Sequence, residues 1–212
     1  MAGRAPLSRR SFLHAGASAA TGATSLALLG MADFSHAASI DTLQASPQIV
    51  SRPAIPKWPE RDEIRQVWLK RQSTGEALVA RYFDGQQVSN ENYIACCTLL
   101  RDVQSGSVAH IDLGLLDLVF SMQKWLVEWG IDRPLTVHSG YRSPATNARE
   151  GGARNSMHMQ GRAIDFHIQG IPSEYMGRLA RIFGVGGVGF YVGNTGFTHV
   201  DTGSVRSWGQ KK

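Results

Sequence analysis

Cysteine is almost missing from this chain. The only two in 212 residues are neighbours, Cys96 and Cys97. Adjacent cysteines on a helix point about 100° apart, so a bond between them would be strained. No other cysteine is available, which speaks against a metal role for them, and the pair reads as two small packing residues. Long hydrophobic runs are also missing. The apolar stretch from Ala15 to Met31 is diluted by Gly, Ser and Thr and falls short of the roughly 20 strongly apolar residues that span a membrane. Nor is there a Lys/Arg cluster or an aromatic stacking motif, which speaks against a nucleic-acid partner. The positive excess is mild, 22 basic residues against 17 acidic ones for a net charge of +5, and would suit an anionic polymer. Internal repeats and low-complexity tracts are not visible. What is present is an ordinary globular composition, 42% hydrophobic, enough for one core.

The N-terminus carries a targeting pattern rather than fold information. Ser8-Arg-Arg10-Ser-Phe-Leu13 is a twin-arginine motif, the modestly apolar stretch follows it, and Ser35-His36-Ala37 is an A-x-A-like cleavage site. No cysteine follows that site to take a lipid. Residues 1–37 are therefore expected to be a signal peptide that engages the twin-arginine export machinery. That expectation places the product in the periplasm, with no stable membrane anchor after cleavage. Residues 38–60 are polar and hold Pro47, Pro53, Pro56 and Pro59, an extended lead-in. One domain, residues 61–212, remains.

Within that domain the sequence predicts an α+β fold. Arg65–Arg71 and Ala77–Phe83 read as two strands around Ser73-Thr-Gly75-Glu. Glu91–Arg101 reads as a helix capped by Asn90. Ile111–Gly130 is the clearest helix, with Leu113, Leu116, Val119, Phe120, Met122, Leu126 and Trp129 at helical spacing and Gly130 as its stop. His110 just before it reads as a surface residue. Leu135–His138 is a strand, with His138 read as structural, and Ala145–Met157 a long loop of the sort that carries function. Ala163–Ile168 is a strand, and Pro172–Phe183 an amphipathic helix that buries Tyr175, Met176, Leu179, Ile182 and Phe183. Val188–Val192 and Phe197–Asp201 are strands around Gly193-Asn194-Thr195-Gly196, a hairpin signal.

The chemistry gathers in Asn155-Ser-Met-His158-Met-Gln-Gly161-Arg-Ala163-Ile-Asp165-Phe-His167. A loop histidine and a strand aspartate can meet as two ligands of a metal ion, and His199 in Phe197-Thr-His199-Val-Asp201 offers the third that a catalytic zinc needs. The same spacing also occurs in plain loop-and-strand packing, so spacing alone leaves both readings open. Alternation along the strands puts His167 on the side of Asp165, and Asp201 on the side of His199.

Ser156, His158, Gly161, Ala163 and Asp165 stand as S-x-H-x-x-G-x-A-x-D, which resembles the signature of the zinc D-Ala-D-Ala metallopeptidases and their hedgehog- and lysostaphin-like relatives. Ser139-Gly-Tyr-Arg142-Ser143, Gly186-Gly-Val-Gly-Phe-Tyr191 and His199-Val-Asp-Thr-Gly203 resemble one branch, the twin-arginine-exported murein endopeptidases of the YcbK/MepK type. The resemblance runs in order from about Ile64 to Trp208.

The resemblance implies a hedgehog/D-Ala-D-Ala-peptidase-like fold, a mostly antiparallel central sheet with flanking helices, and Zn2+ held by His158, Asp165 and His199. It implies hydrolysis of peptide cross-links in peptidoglycan. Two alternatives are a D,D-carboxypeptidase or dipeptidase acting on stem peptides, and a non-catalytic zinc-containing wall-binding module. Arg142 would pair with a peptide carboxylate or an oxyanion, with Ser139 and Tyr141 beside it as substrate-binding residues. The chain departs from the wider superfamily in one respect. Relatives place an acid three residues before the last histidine, or a histidine two before it, where this chain has Gly196 and Phe197. Asp201 and His167 are the expected substitutes as proton carriers.

Overall fold

The computed structural model describes residues 56–184, 186–193 and 196–211. The expected signal peptide and the lead-in up to residue 55 lie outside the described residues. No helix among the described residues is long and apolar enough to cross a membrane.

The described chain is α+β. Its strands are β1 (Arg65–Arg71), β2 (Ala77–Phe83), β3 (Leu135–Ser139), β4 (Ala163–His167), β5 (Gly187–Val192), β6 (Phe197–Asp201) and β7 (Arg206–Lys211). Its helices are α1 (Asn90–Leu99), α2 (Leu113–Glu128), α3 (Pro144–Arg149) and α4 (Ser173–Ile182), with a 3-10 turn at Met157–Gln160. All seven strands share one mixed sheet in the order β2-β1-β3-β4-β6-β5-β7. Four of its six neighbouring pairs are antiparallel, while β1–β3 and β5–β7 are parallel.

Local chemistry accounts for most boundaries. In β1, Val67 and Leu69 alternate with more exposed residues and enter the core, and the turn into β2 closes through the amide of Gly75 on the carbonyl of Arg71, 2.9 Å. The cap of α1 is Ser89 rather than the expected Asn90, because the Ser89 hydroxyl accepts the amide of Asn92. Asp112 caps α2 by accepting the amide of Gly114 at 2.9 Å, so Ile111 stays outside the helix. The expected long loop after β3 contains α3, where Ser143 caps and Pro144 occupies the first turn, the position at which proline costs no hydrogen bond.

The core lies between the sheet and the helices. Leu115, Leu116, Leu118 and Met122 of α2, with Met176 and Leu179 of α4, join Val137, Ile164, Phe166, Val188 and Val200 from the strands. Four residues expected in that core are exposed instead: Leu113, Trp129, Tyr175 and Ile182. They sit in the first turn or at the end of their helices. The strand β7 was not foreseen, since Ser207-Trp-Gly209 carries no apolar alternation.

One consequence of register positions the site. Ile164 and Phe166 turn to the core, so Asp165 turns to the opposite face of β4. There Asp165 pairs with His199 of β6 on one side and with Ser139 of β3 on the other, after an irregularity between Val137 and Ser139. Three strands thus bring three polar residues into one row.

Candidate metal centre

The 3-10 turn delivers the histidine that the sheet lacks. Ser156 caps it, and Gly161 ends it with φ +66°, in a spot where a Cβ would lie 2.0 Å from the His110 carbonyl oxygen. The amide of Asp112 binds the Gly161 carbonyl at 2.9 Å, and Thr202 donates to Asp112 at 2.6 Å. The turn is therefore tied to the start of α2 and the end of β6. His158, on this turn, reaches the row formed by the strands.

His158, Asp165 and His199 come together with their ligating atoms facing one another. The separations are 3.3 Å for His158 Nε2 to Asp165 Oδ1, 2.8 Å for His199 Nδ1 to Asp165 Oδ1 and 3.2 Å for His158 Nε2 to His199 Nδ1. Ligands about 2.0–2.1 Å from a tetrahedral zinc lie about 3.3–3.4 Å from one another, so the triangle needs only a slight expansion.

The outer atoms of the three side chains explain why these faces turn inward. His158 donates Nδ1–H to the Gly140 carbonyl, 2.7 Å, which leaves Nε2 as the lone-pair nitrogen. His199 donates Nε2–H to Asp201 Oδ2, 2.9 Å, which leaves Nδ1. Asp165 gives its other oxygen, Oδ2, to Arg142. Two imidazole lone pairs and one carboxylate oxygen then converge in a buried spot, and such a donor set calls for a cation.

Asp201 is fully buried and heavily engaged. It accepts from His199, from the amides of Gly187 and Gly203 at 2.8 Å each, and from Arg206 at 2.6 Å. Burial works against its ionisation, but these donors outweigh it and hold its pKa well below the usual carboxylate range. In His199 burial opposes the charged form, while Asp165 and Asp201 more than offset it and raise the pKa. In Asp165 burial is likewise overcome, by His158 and His199. Two glycines of β5 leave room for this packing. A Cβ on Gly187 would lie 2.5 Å from Asp201 Oδ2, and one on Gly189 2.4 Å from the Trp208 ring, which stands beside His199.

The trio opens into a cavity of about 780 Å³. Arg142, Ser139 and Tyr141 all line it, with Arg142 Nε donating to Ser139 Oγ at 2.6 Å. His167 is not on its wall. It meets His138 instead, Nδ1 to Nε2 at 2.6 Å, and burial lowers its pKa. His138 does line the cavity, although its sequence context marked it only as a strand residue. Arg71, Asp102, Arg206 and Trp208 line it too and were not singled out from sequence. For Arg71 a signal existed, since it continues the buried alternation of Val67 and Leu69.

The chain is similar to known proteins. Residues 60–208 match the model of the family described as peptidoglycan L,D-endopeptidase MepK. The chain is 37% identical over 149 residues to the peptidoglycan L,D-endopeptidase MepK of Escherichia coli (strain K12), covering 68% of this chain and 80% of that protein. A probable peptidoglycan L,D-endopeptidase MepK of Haemophilus influenzae is 36% identical over 141 residues, 64% of this chain and 71% of the other. The zinc D-Ala-D-Ala carboxypeptidase of Streptomyces albus G is 39% identical over a shorter stretch of 80 residues, 36% of this chain and 31% of that enzyme. The family match takes in every residue that lines the cavity, and the chain belongs to the peptidoglycan L,D-endopeptidase MepK family.

Proposed function

We propose that this protein is a zinc-dependent endopeptidase that hydrolyses peptide cross-links of peptidoglycan. The observation that carries the reading is the buried His158–Asp165–His199 triangle, open to a cavity large enough for a peptide. The names of the relatives support an L,D-bond as the one cut. The sheet, with ligands on β4, β6 and an adjoining turn, suits a hedgehog/D-Ala-D-Ala-peptidase-like fold. The twin-arginine motif and the wall substrate together support a periplasmic site of action.

Zinc in this triangle would polarise the scissile carbonyl and make water acidic enough to attack near neutrality. The chain supplies the rest. Gly140 and Asp201 hold the two imidazoles in their ligating tautomers, a role whose loss commonly costs metal affinity. Arg142 steadies Asp165 and keeps Nη1 for a substrate oxygen, beside Ser139 and Tyr141. The many donors on Asp201 favour an orienting role for it over proton transfer, because a useful base has a pKa near the working pH. For the proton we favour His138 on the cavity wall, with His167 behind it.

The test is digestion of purified sacculi by the zinc-loaded protein, with the released muropeptides identified. New amines freed between stem peptides are expected. Loss of terminal D-Ala alone would make it a carboxypeptidase, the activity of the Streptomyces relative, and unchanged sacculi would leave a wall-binding module.

A further inference from the structure

The cavity holds a cation without an ion-pair partner among the described residues. Three arginines line it. Arg142 contacts Asp165 and Arg206 contacts Asp201, while Arg71 has no ion pair among the described residues. Arg71 ends β1 and is 5% exposed, and its buried Nε and Nη1 lack any hydrogen-bond partner. Buried charges are normally paired because leaving water is costly. A native group that breaks this rule needs a reason.

The surroundings do not offer one within the fold. Glu76 and Asp102 act on Arg71 from nearby, but both are engaged elsewhere. Asp102 accepts the amides of Ser143 and Gln104 at 2.9 and 3.0 Å. Glu76 binds Arg101 at 3.0 Å and Thr74 at 2.6 Å. Arg101 and Arg142 add further positive charge around it. Burial, and then Arg101, disfavour the charged form of Arg71, and an anion paired with it would offset both.

We infer that Arg71 is a substrate-recognition residue that binds a carboxylate of the peptide substrate, at a point of the cavity apart from the metal ligands. A guanidinium presents a planar fork of donors that matches a carboxylate in shape and charge. The inference rests on the peptidase reading and deepens it: the substrate class is a peptide that keeps a free carboxylate away from the bond being cut.

The test measures binding without turnover, so that it stands apart from sacculus digestion. The probes are the tripeptide L-Ala-γ-D-Glu-meso-diaminopimelate and its form with the carboxylates converted to carboxamides. Each is titrated calorimetrically into zinc-loaded wild-type, Arg71→Gln and Arg71→Lys protein. Wild type is expected to favour the free acid by about 10–100-fold, the worth of a charge-assisted hydrogen bond or two. Arg71→Gln should lose that preference, and Arg71→Lys should keep part of it. Removal of an unpaired buried charge should leave the melting temperature of Arg71→Gln equal or higher. Equal binding of both probes by wild type would overturn the inference, as would a preference that survives in Arg71→Gln. So would a lower melting temperature for Arg71→Gln, which would make the arginine a structural residue. A failure to cut sacculi would count against the peptidase reading instead.

Discussion

At the scale of single residues, the centre works through the partners of its ligands. His199 is held by Asp201 and Asp165 by Arg142. Asp201→Asn should therefore lower zinc affinity by about 10–100-fold, read by metal content after dialysis against a weak chelator. If Asp201→Asn keeps its zinc and loses only rate, Asp201 is a proton carrier after all. His138→Ala and His167→Ala are expected to do the opposite, retaining zinc while kcat falls by about 10²–10⁴-fold for His138 and less for His167. Full activity in both would put the proton carrier elsewhere. The two candidate carriers named from sequence followed from strand alternation, which puts each on the same side of its strand as the neighbouring ligand. Alternation could not tell that Asp201 faces four donors, or that His167 meets a histidine from β3, because both facts depend on neighbours far off in the chain.

At the scale of elements, the 3-10 turn that carries His158 is the most vulnerable part. Gly161 combines φ +66° with a Cβ position 2.0 Å from a carbonyl oxygen. Gly161→Ala should cost more than the usual 1 kcal/mol or so of a strained left-handed residue, since the turn or the start of α2 must move. Zinc affinity should fall with it, and chemical denaturation beside metal titration checks both. Phe166→Ala, on the core side of the same strand as Asp165, should cost about 3–5 kcal/mol while the ligands stay on their own face. Most elements were legible because their signals are local, as in the alternation of β1 and the apolar arc of α2, though the cap of α1 fell one residue from the expected one. The short strand β7 was not legible. Its pairing with β5 is parallel and rests on a partner 19 residues away, not on a pattern of its own.

For the whole molecule, pH and location give the tests. Asp102 joins the segment after α1 to the start of α3 through backbone amides. Burial opposes its ionisation, but hydrogen bonds from Ser143, Thr146 and Ser105 win and hold its pKa below the ordinary value of 3.8. A carboxylate whose folded pKa is depressed stabilises the fold fully above its unfolded pKa and stops doing so as pH falls through the folded one. Stability should therefore drop on acidification below about pH 4, and denaturation curves of Asp102→Asn at pH 6 and pH 3 should show a smaller drop than wild type. Export belongs to this scale too. Replacement of Arg9 and Arg10 by lysine should leave the precursor in the cytoplasm, and normal export of that variant would show that another route suffices.

The sequence by itself determined the ligand set as a candidate, the family resemblance and most of the local structure. Those properties reside in residues a few positions apart, where caps, turns and alternation act directly. Tertiary structure decided what meets what. It set Asp165 opposite His199 through sheet register, turned the ligating atoms of His199, His158 and Asp165 inward through Asp201, Gly140 and Arg142, and buried Arg71 in the same cavity with no ion pair among the described residues. Each of these depends on pairing between strands and loops distant in sequence, and such pairing is chosen by how the whole core packs.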